Sequence, residues 1–207
     1  MGLVMFDYDG VIVDSLEVFA LNFTAACHDH GFLEVATAQD VIDLFEGNVY
    51  ASMVERGVEE PTIDAILEDY KVRQEPFLLN IPLFAGIPEA LEQISQKHAI
   101  FIITSNLSSA TRAVLNKHRL LCIEDVIGAE QEKSKVKKIE RIRALYPDMP
   151  AFYIGDTKGD MLEGREAGAH PIAVTWGWHT EERLIMGDPD YVAHTPQELA
   201  EILCHST

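Results

Sequence analysis

The sequence predicts an α/β fold, a doubly wound parallel sheet interrupted near its start by a helical insertion. Three observations carry that expectation. Short apolar runs bounded by polar or glycine-rich residues recur along the chain, amphipathic helical patterns lie between them, and the block 16–83 carries helical patterns without a convincing strand. At 207 residues, 47% hydrophobic and 24% charged, the chain has the length and composition to bury a sizeable core, which excludes a mostly disordered protein.

The strands come first. Residues 3–6, 99–103, 122–127, 151–154 and 171–174 are apolar runs, and 191–193 is a weaker sixth. Short runs of this kind, closed by turn residues, read as buried strands of a parallel sheet. Between them, 88–97 opens with Pro88 near the first helical position and sets Leu91 and Ile94 on one face. The pattern at 108–118 has Ser108 or Ser109 as its cap. Residues 136–145 carry Val136, Ile139, Ile142 and Leu145 at helical spacing, and 160–167 and 196–203 complete the set. Strand–helix alternation with right-handed crossovers gives the doubly wound sheet. The insertion reads as helices at 16–29, 37–45, 50–56 and 62–77, dividing the chain into a core of 1–15 and 84–207 and a helical unit of 16–83. The alternative is that these helices simply cover the sheet.

Charge narrows the function. Sixteen basic residues against 34 acidic ones leave a net charge of −18, which disfavours nucleic acid and anionic membrane surfaces as partners. A site for an anionic ligand in such a chain must bring its own local positive charge or a metal. No apolar run is long enough to span a bilayer. The N-terminal segment has no basic region before its apolar residues, and Phe6 stands where a myristoylation signal needs Ser or Thr, so a cytoplasmic location is expected. Cys27, Cys122 and Cys204 are widely spaced and odd in number, which predicts reduced, buried thiols.

Four segments bear chemistry. The first strand runs into Asp7-Tyr8-Asp9-Gly10-Val11, two carboxylates flanking one residue where ligands of open α/β sheets bind. Such a pair repels itself unless a proton or cation intervenes, and a hard divalent ion such as Mg²⁺ suits oxygen donors. The run ending at Ile103 meets Thr104-Ser105-Asn106, a hydroxyl and free N–H groups just before a helix, which reads as a phosphate cradle or as an ordinary helix cap. The run ending at Ile154 meets Gly155-Asp156-Thr157-Lys158-Gly159-Asp160, in which Asp156 completes a cation site with Asp7 while Asp160 is a further ligand or orients one; a solvated loop capped by Asp160 is the bland reading. Between them lies Glu132-Lys133-Ser134-Lys135-Val136-Lys137-Lys138, the densest basic patch in the chain. A lysine near a helix start runs against the helix dipole and suggests a task, offsetting converging acids and a bound phosphate, whereas Lys137 and Lys138 read as a solvated face.

In order and content these four segments resemble the haloacid dehalogenase superfamily, on Phe6 to Ser15, Ile103 to Asn106, a lysine of 133–135 and Gly155 to Asp160. The resemblance covers the chain except the inserted helices, which match in position alone. Asp14-Ser15 followed by a helical block looks like the branch whose Rossmann-like core carries an α-helical cap. Residues 164–169 and 174–178 look like phosphoglycolate-phosphatase-type members. The resemblance implies Asp7 as a nucleophile forming an aspartyl-phosphate, and Asp9 as proton donor to the leaving group and then base for water. It implies Mg²⁺ held by Asp7, Asp9 through its backbone carbonyl, and Asp156, with Asp160 beside them, and phosphate held by Thr104, Ser105 and Asn106. The chain lacks the Lys-Pro-x-Pro pattern of many relatives; if the apolar helix face begins at Ile139, Lys135 fits the active-site lysine better than Lys133.

Members of the superfamily that cleave carbon–halogen bonds lack an acid at the position of Asp9, so the resemblance implies phosphate esters as the substrates. The expected function is therefore a Mg²⁺-dependent phosphatase of a small phosphorylated metabolite, a monomer or small homo-oligomer. The alternatives are a phosphomutase of the β-phosphoglucomutase type and a non-catalytic member of the fold. Arg56, Lys71, Arg73, His28, His30 and the stretch from Asn48 to Glu55 are the insertion's candidates for substrate contact, and Trp176, Trp178 and His179 are candidates for the site's rim.

Overall fold

The computed structural model describes residues 1–46 and 49–205. The chain forms two compact units, Met1–Asp14 with Pro82–Thr207, and Ser15–Ile81. The sequence places the crossings one to two residues later. The difference has a cause: Val13 bridges Leu83 and the Asp14 N–H donates to the Pro82 carbonyl, tying both passages of chain to the first unit.

The first unit is built on six strands, β1 (Leu3–Phe6), β2 (Ala99–Ile103), β3 (Ile123–Ile127), β4 (Ala151–Gly155), β5 (His170–Val174) and β6 (Tyr191–Ala193). Their order is β3-β2-β1-β4-β5-β6, and every neighbouring pair is parallel. All residues of β1, β2 and β4 are buried, as the uninterrupted apolar runs require of central strands covered on both faces. Alternation along β1 sends Leu3 and Met5 to one face, where they meet Phe101, Ile103, Ile139, Ile142 and Tyr153. From β1, in the middle of the sheet, the chain winds outward to β3, then crosses back to β4 on the other flank of β1. The strand order therefore reverses between β1 and β4, and the crevice at their carboxyl ends is where such folds hold ligands.

Six helices among the described residues accompany the sheet: α5 (Ile87–Ser95), α6 (Ser108–Lys117), α7 (Lys135–Leu145), α8 (Lys158–Glu166), α9 (Glu181–Ile185) and α10 (Pro196–His205). Several details depart from the sequence reading. Neither Ser108 nor Ser109 caps α6. Its N-cap is Leu107, without a side-chain bond, and the Glu130 carboxylate accepts the Ser108 N–H instead. Helix α8 starts two residues earlier than predicted because Thr157 and Asp160 form a reciprocal capping box. Leu145 is exposed rather than core-facing: α7 ends there, and Tyr146 turns in against the cluster beside Phe101. Lys138, which reads from sequence as solvated, is fully buried. Helix α9 has no counterpart in the sequence pattern, since its five residues contribute just Leu184 to the interior.

The second unit holds α1 (Leu16–Asp29), α2 (Ala38–Leu44), α3 (Val49–Glu55) and α4 (Glu60–Leu78). Its own core joins Phe23, Leu44, Met53, Ile63, Ile66 and Tyr70, with the rings of Phe19, Phe23, Phe45 and Tyr70 meeting at centroid distances of 4.8–6.0 Å. Arg73 on α4 pairs with Asp69 and with Asp29 of α1. Lys71 pairs with Glu68, His30 faces Asp69, and the His28 Nε2 lies 2.8 Å from the Val35 carbonyl, so these candidates are engaged within their own unit. Asn48 lies outside the described residues. The cysteines form no disulfide; Cys27 is buried, and Cys122 and Cys204 are half-buried. Among the described residues no helix is long and apolar enough to cross a membrane.

Candidate active site

The carboxyl ends of β1 and β4 bring three buried acids together. Asp7 follows β1 and is fixed in register by its N–H donating to the Ile154 carbonyl at 2.8 Å. Asp156 follows β4, and Asp160 sits in the first turn of α8. One carboxylate oxygen from each of Asp7, Asp156 and Asp160 lies within 4.8 Å of the others.

Lys135, at the first position of α7, ties this cluster together. Its Nζ lies 3.0 Å from Asp7 Oδ2 and 2.8 Å from Asp160 Oδ1. Ser134 caps the helix by accepting the Lys137 N–H, which sets the turn that directs Lys135 inward while Lys133 and Lys137 stay exposed. Burial alone would lower the Lys135 ammonium, but Asp160 and Asp7 hold it well above its usual range.

The three acids are not equivalent. Asp160 Oδ1 accepts from Lys135 and from the Tyr153 hydroxyl at 3.2 Å, and Oδ2 accepts from the Thr157 N–H at 3.1 Å and its hydroxyl at 2.6 Å. Burial pushes Asp160 up, but Lys135 and these donors leave it below its ordinary value. Asp156 stands in the opposite condition. Its Oδ2 accepts the Trp178 N–H at 2.7 Å, while Oδ1 is buried with no hydrogen-bond partner. Burial first, then Asp160 and Asp7, raise it well above the carboxylate range. Burial likewise pushes Asp7 up to about 7, against the pull of Lys135.

An orphaned carboxylate oxygen beside a second protonation-prone acid is the pattern expected where a cation belongs. The all-oxygen donor set fits Mg²⁺. Asp7 and Asp156 would hold it, since Asp160 already accepts four hydrogen bonds. Asp9, half-buried, keeps its carboxylate outside the three-acid cluster, and its Oδ2 accepts the Asn106 side-chain N–H at 2.7 Å.

The loop after β2 flanks the acids. Thr104 is fully buried, and its Oγ1 accepts the Asn106 backbone N–H at 3.0 Å; Ser105 is exposed. The predicted residues thus gather at the carboxyl ends of the central strands, with Asn106 directed at Asp9 by its side chain. Two contributors, Tyr153 and Lys138, escaped the sequence reading, and the segment of Trp178, read as a candidate rim, supplies a backbone donor instead. The Trp178 N–H and the Tyr153 hydroxyl hold the acids, and the Lys138 Nζ donates to the Thr104 carbonyl at 2.6 Å. Gly177 is needed beside them, because a side chain there would overlap both Asp156 and the Gly10 carbonyl. Trp176 anchors the same segment by donating from Nε1 to the Val11 carbonyl at 3.1 Å, and the His179 N–H donates to the Asp156 carbonyl at 3.2 Å.

A parallel, doubly wound sheet with acids and a lysine gathered at its switch point defines an α/β enzyme with an acidic centre. The chain belongs to the haloacid dehalogenase-like hydrolases, whose family model matches residues 4–174. It is 26% identical over 205 residues to phosphoglycolate phosphatase of Synechococcus elongatus, covering 97% of this chain and 96% of that one. It is 23% identical over 212 residues to phosphoglycolate phosphatase of Aquifex aeolicus, covering 98% and 97%. Among solved structures, a haloacid dehalogenase-like hydrolase from Streptococcus pneumoniae superposes with a TM-score of 0.81 at 24% identity, covering 100% of this chain and 99% of that one. A hydrolase from Pseudomonas syringae gives 0.79 at 17%, covering 99% and 98%. These structural likenesses extend to the fold.

Proposed function

We propose that this protein is a Mg²⁺-dependent phosphatase that cleaves a small phosphomonoester through an aspartyl-phosphate. The observation that carries the reading is the convergence of Asp7, Asp156 and Asp160 on Lys135, with one Asp156 oxygen buried and unpartnered. A bound Mg²⁺ would supply the positive charge that screens the acids from one another and from an incoming phosphate.

The chain's own residues account for the rest. Lys135 orients Asp7 and favours its ionised form against burial, and the Asp7 carboxylate attacks phosphorus and forms a P–O bond as the ester P–O bond breaks. Asp9 gives a proton to the departing alkoxide. Asn106 holds Asp9 at 2.7 Å for that transfer. Asp9, now a carboxylate, takes a proton from water as that water attacks the same phosphorus, which releases inorganic phosphate and restores Asp7. Thr104 and the Ser105 N–H bind the phosphate oxygens that do not react. Asp160 acts through Lys135 and Tyr153 rather than on the substrate.

Similarity to phosphoglycolate phosphatases along nearly the whole chain supports a small, doubly anionic substrate of the same kind. The Ser15–Ile81 unit is the proposed cap that selects among such esters. The test is a panel of phosphate monoesters assayed with Mg²⁺ and with EDTA. Turnover that needs Mg²⁺ and vanishes in Asp7→Asn upholds the reading. Turnover that depends on a sugar-bisphosphate primer replaces it with a phosphomutase, and no turnover on any ester overturns it.

A further inference from the structure

Lys138 lies on the core side of α7, one residue from Ile139 and one turn from Ile142, where an apolar side chain would complete the stripe. It is instead a fully buried lysine. Burying an ammonium is unfavourable unless it is tied to acceptors, so the position asks what the charge does. Its Nζ donates to the Thr104 carbonyl at 2.6 Å.

That carbonyl belongs to the peptide joining Thr104 to Ser105. The peptide is trans, so the Ser105 N–H points opposite to the carbonyl that Lys138 holds. Among the described residues, this N–H donates to no acceptor. The rest of the loop is braced from the same side. The Thr104 N–H donates to the Ile127 carbonyl at 3.1 Å, and the Ala129 N–H to the Asn106 carbonyl at 2.9 Å. Lys138 thus completes a platform, built from β3 and α7, under the segment proposed to meet phosphate.

We propose that Lys138 is a positioning residue for phosphate recognition: its buried ammonium fixes the Thr104–Ser105 peptide so that the Ser105 N–H presents to an anion, and adds a second positive charge behind the loop. The proposal rests on the phosphatase reading above. Burial, then repulsion from Lys135, draws Lys138 down to about 8, with Asp7, Glu130 and Glu132 opposing, so the group is still mostly cationic at neutral pH. Its Nζ bonds the Thr104 carbonyl, whereas Lys135 is the lysine that pairs with Asp7 and Asp160, which separates the two effects.

The experiment uses the Mg²⁺-loaded protein and inorganic phosphate as a competitive inhibitor, with direct phosphate binding by calorimetry alongside. Lys138→Met keeps the volume and removes both the donor and the charge. The expected result is a fivefold or greater rise in the phosphate inhibition constant and in KM, a smaller change in kcat, an Mg²⁺ half-saturation that does not weaken, and a melting temperature no lower than wild type. A phosphate inhibition constant that rises less than fivefold overturns the proposal. So does a fall in melting temperature with phosphate affinity intact, since that is the signature of a merely structural lysine. If Lys138→Met does not fold, Lys138→Gln is judged by the same fivefold criterion. Wild-type protein that neither turns over esters nor binds phosphate sinks the phosphatase reading and this proposal together, whereas an active wild type with an unaffected variant sinks this proposal alone.

Discussion

Gly10→Ala tests how closely the two strand ends must approach. Gly10 has φ +74°, in the left-handed region, where an L side chain costs about 1–2 kcal/mol. A methyl group there would also overlap the Asp156 carboxylate. Asp156 has little room to retreat, because Gly177 also packs close against it and the Trp178 N–H holds Oδ2 at 2.7 Å. The carboxylate must therefore move by on the order of 1 Å and give up that bond; misplacement on this scale costs about 100-fold in rate. Losing a hydrogen bond to a charged group adds roughly 1.5–3 kcal/mol to the backbone strain. The total, about 2.5–5 kcal/mol, corresponds to a melting point roughly 5–20 °C lower in a chain of this size. The assay is kcat/KM against an accepted phosphomonoester over a Mg²⁺ titration, with thermal denaturation beside it. The expected outcome is a loss of about 100-fold with a raised Mg²⁺ half-saturation. Activity within about threefold of wild type, at an unchanged Mg²⁺ requirement, would refute the argument that these glycines exist to seat Asp156.

Other substitutions follow from the same geometry. Asp156→Asn removes a buried carboxylate raised far above its usual range, so the metal-free protein should melt at a higher temperature than wild type while Mg²⁺ no longer stabilises it; calorimetry with and without Mg²⁺ checks both. Burial moves Asp7 from 3.8 in the unfolded chain to about 7, so the folded state binds the extra proton between those values. Stability of the metal-free protein should therefore fall as pH rises from about 4 to about 7, by on the order of 4 kcal/mol from this group. Asp7→Asn should flatten that slope in urea titrations and abolish turnover. Phe23→Ala, at the centre of the aromatic cluster of the Ser15–Ile81 unit, should cost about 3–5 kcal/mol, read from urea denaturation followed by far-ultraviolet circular dichroism.

The strands are legible because central parallel strands need unbroken apolar runs, and those runs stand out at 3–6, 99–103 and 151–154. The acids are legible because they follow those runs immediately. What sequence does not supply is what other segments bring through the backbone. The Trp178 N–H on Asp156 and the Thr104 carbonyl on Lys138 are groups that nearly every residue type carries, so no side-chain pattern marks them. Lys138 misleads for a related reason. Charge suggests solvent, and the carbonyl that keeps this lysine inside lies 34 residues away in sequence. Glu130 gives no sign that it serves the start of α6, because the acceptor comes from beyond the far end of that helix. Which of Lys133 and Lys135 reaches Asp7 and Asp160 turns on where α7 begins, and Ser134, its N-cap, puts Lys135 there.

The strand order has a consequence for synthesis. Because β1 lies between β2 and β4, Asp7 leaves the ribosome about 150 residues before its partner Asp156 exists. At roughly 5–20 residues per second, β1 waits on the order of ten seconds before both of its neighbours have been made. The helices of Ser15–Ile81, whose contacts are close in sequence, have all their material in hand early. No truncated translation product ending before β4 carries the centre, and a ribosome stalled there leaves one edge of an apolar strand bare.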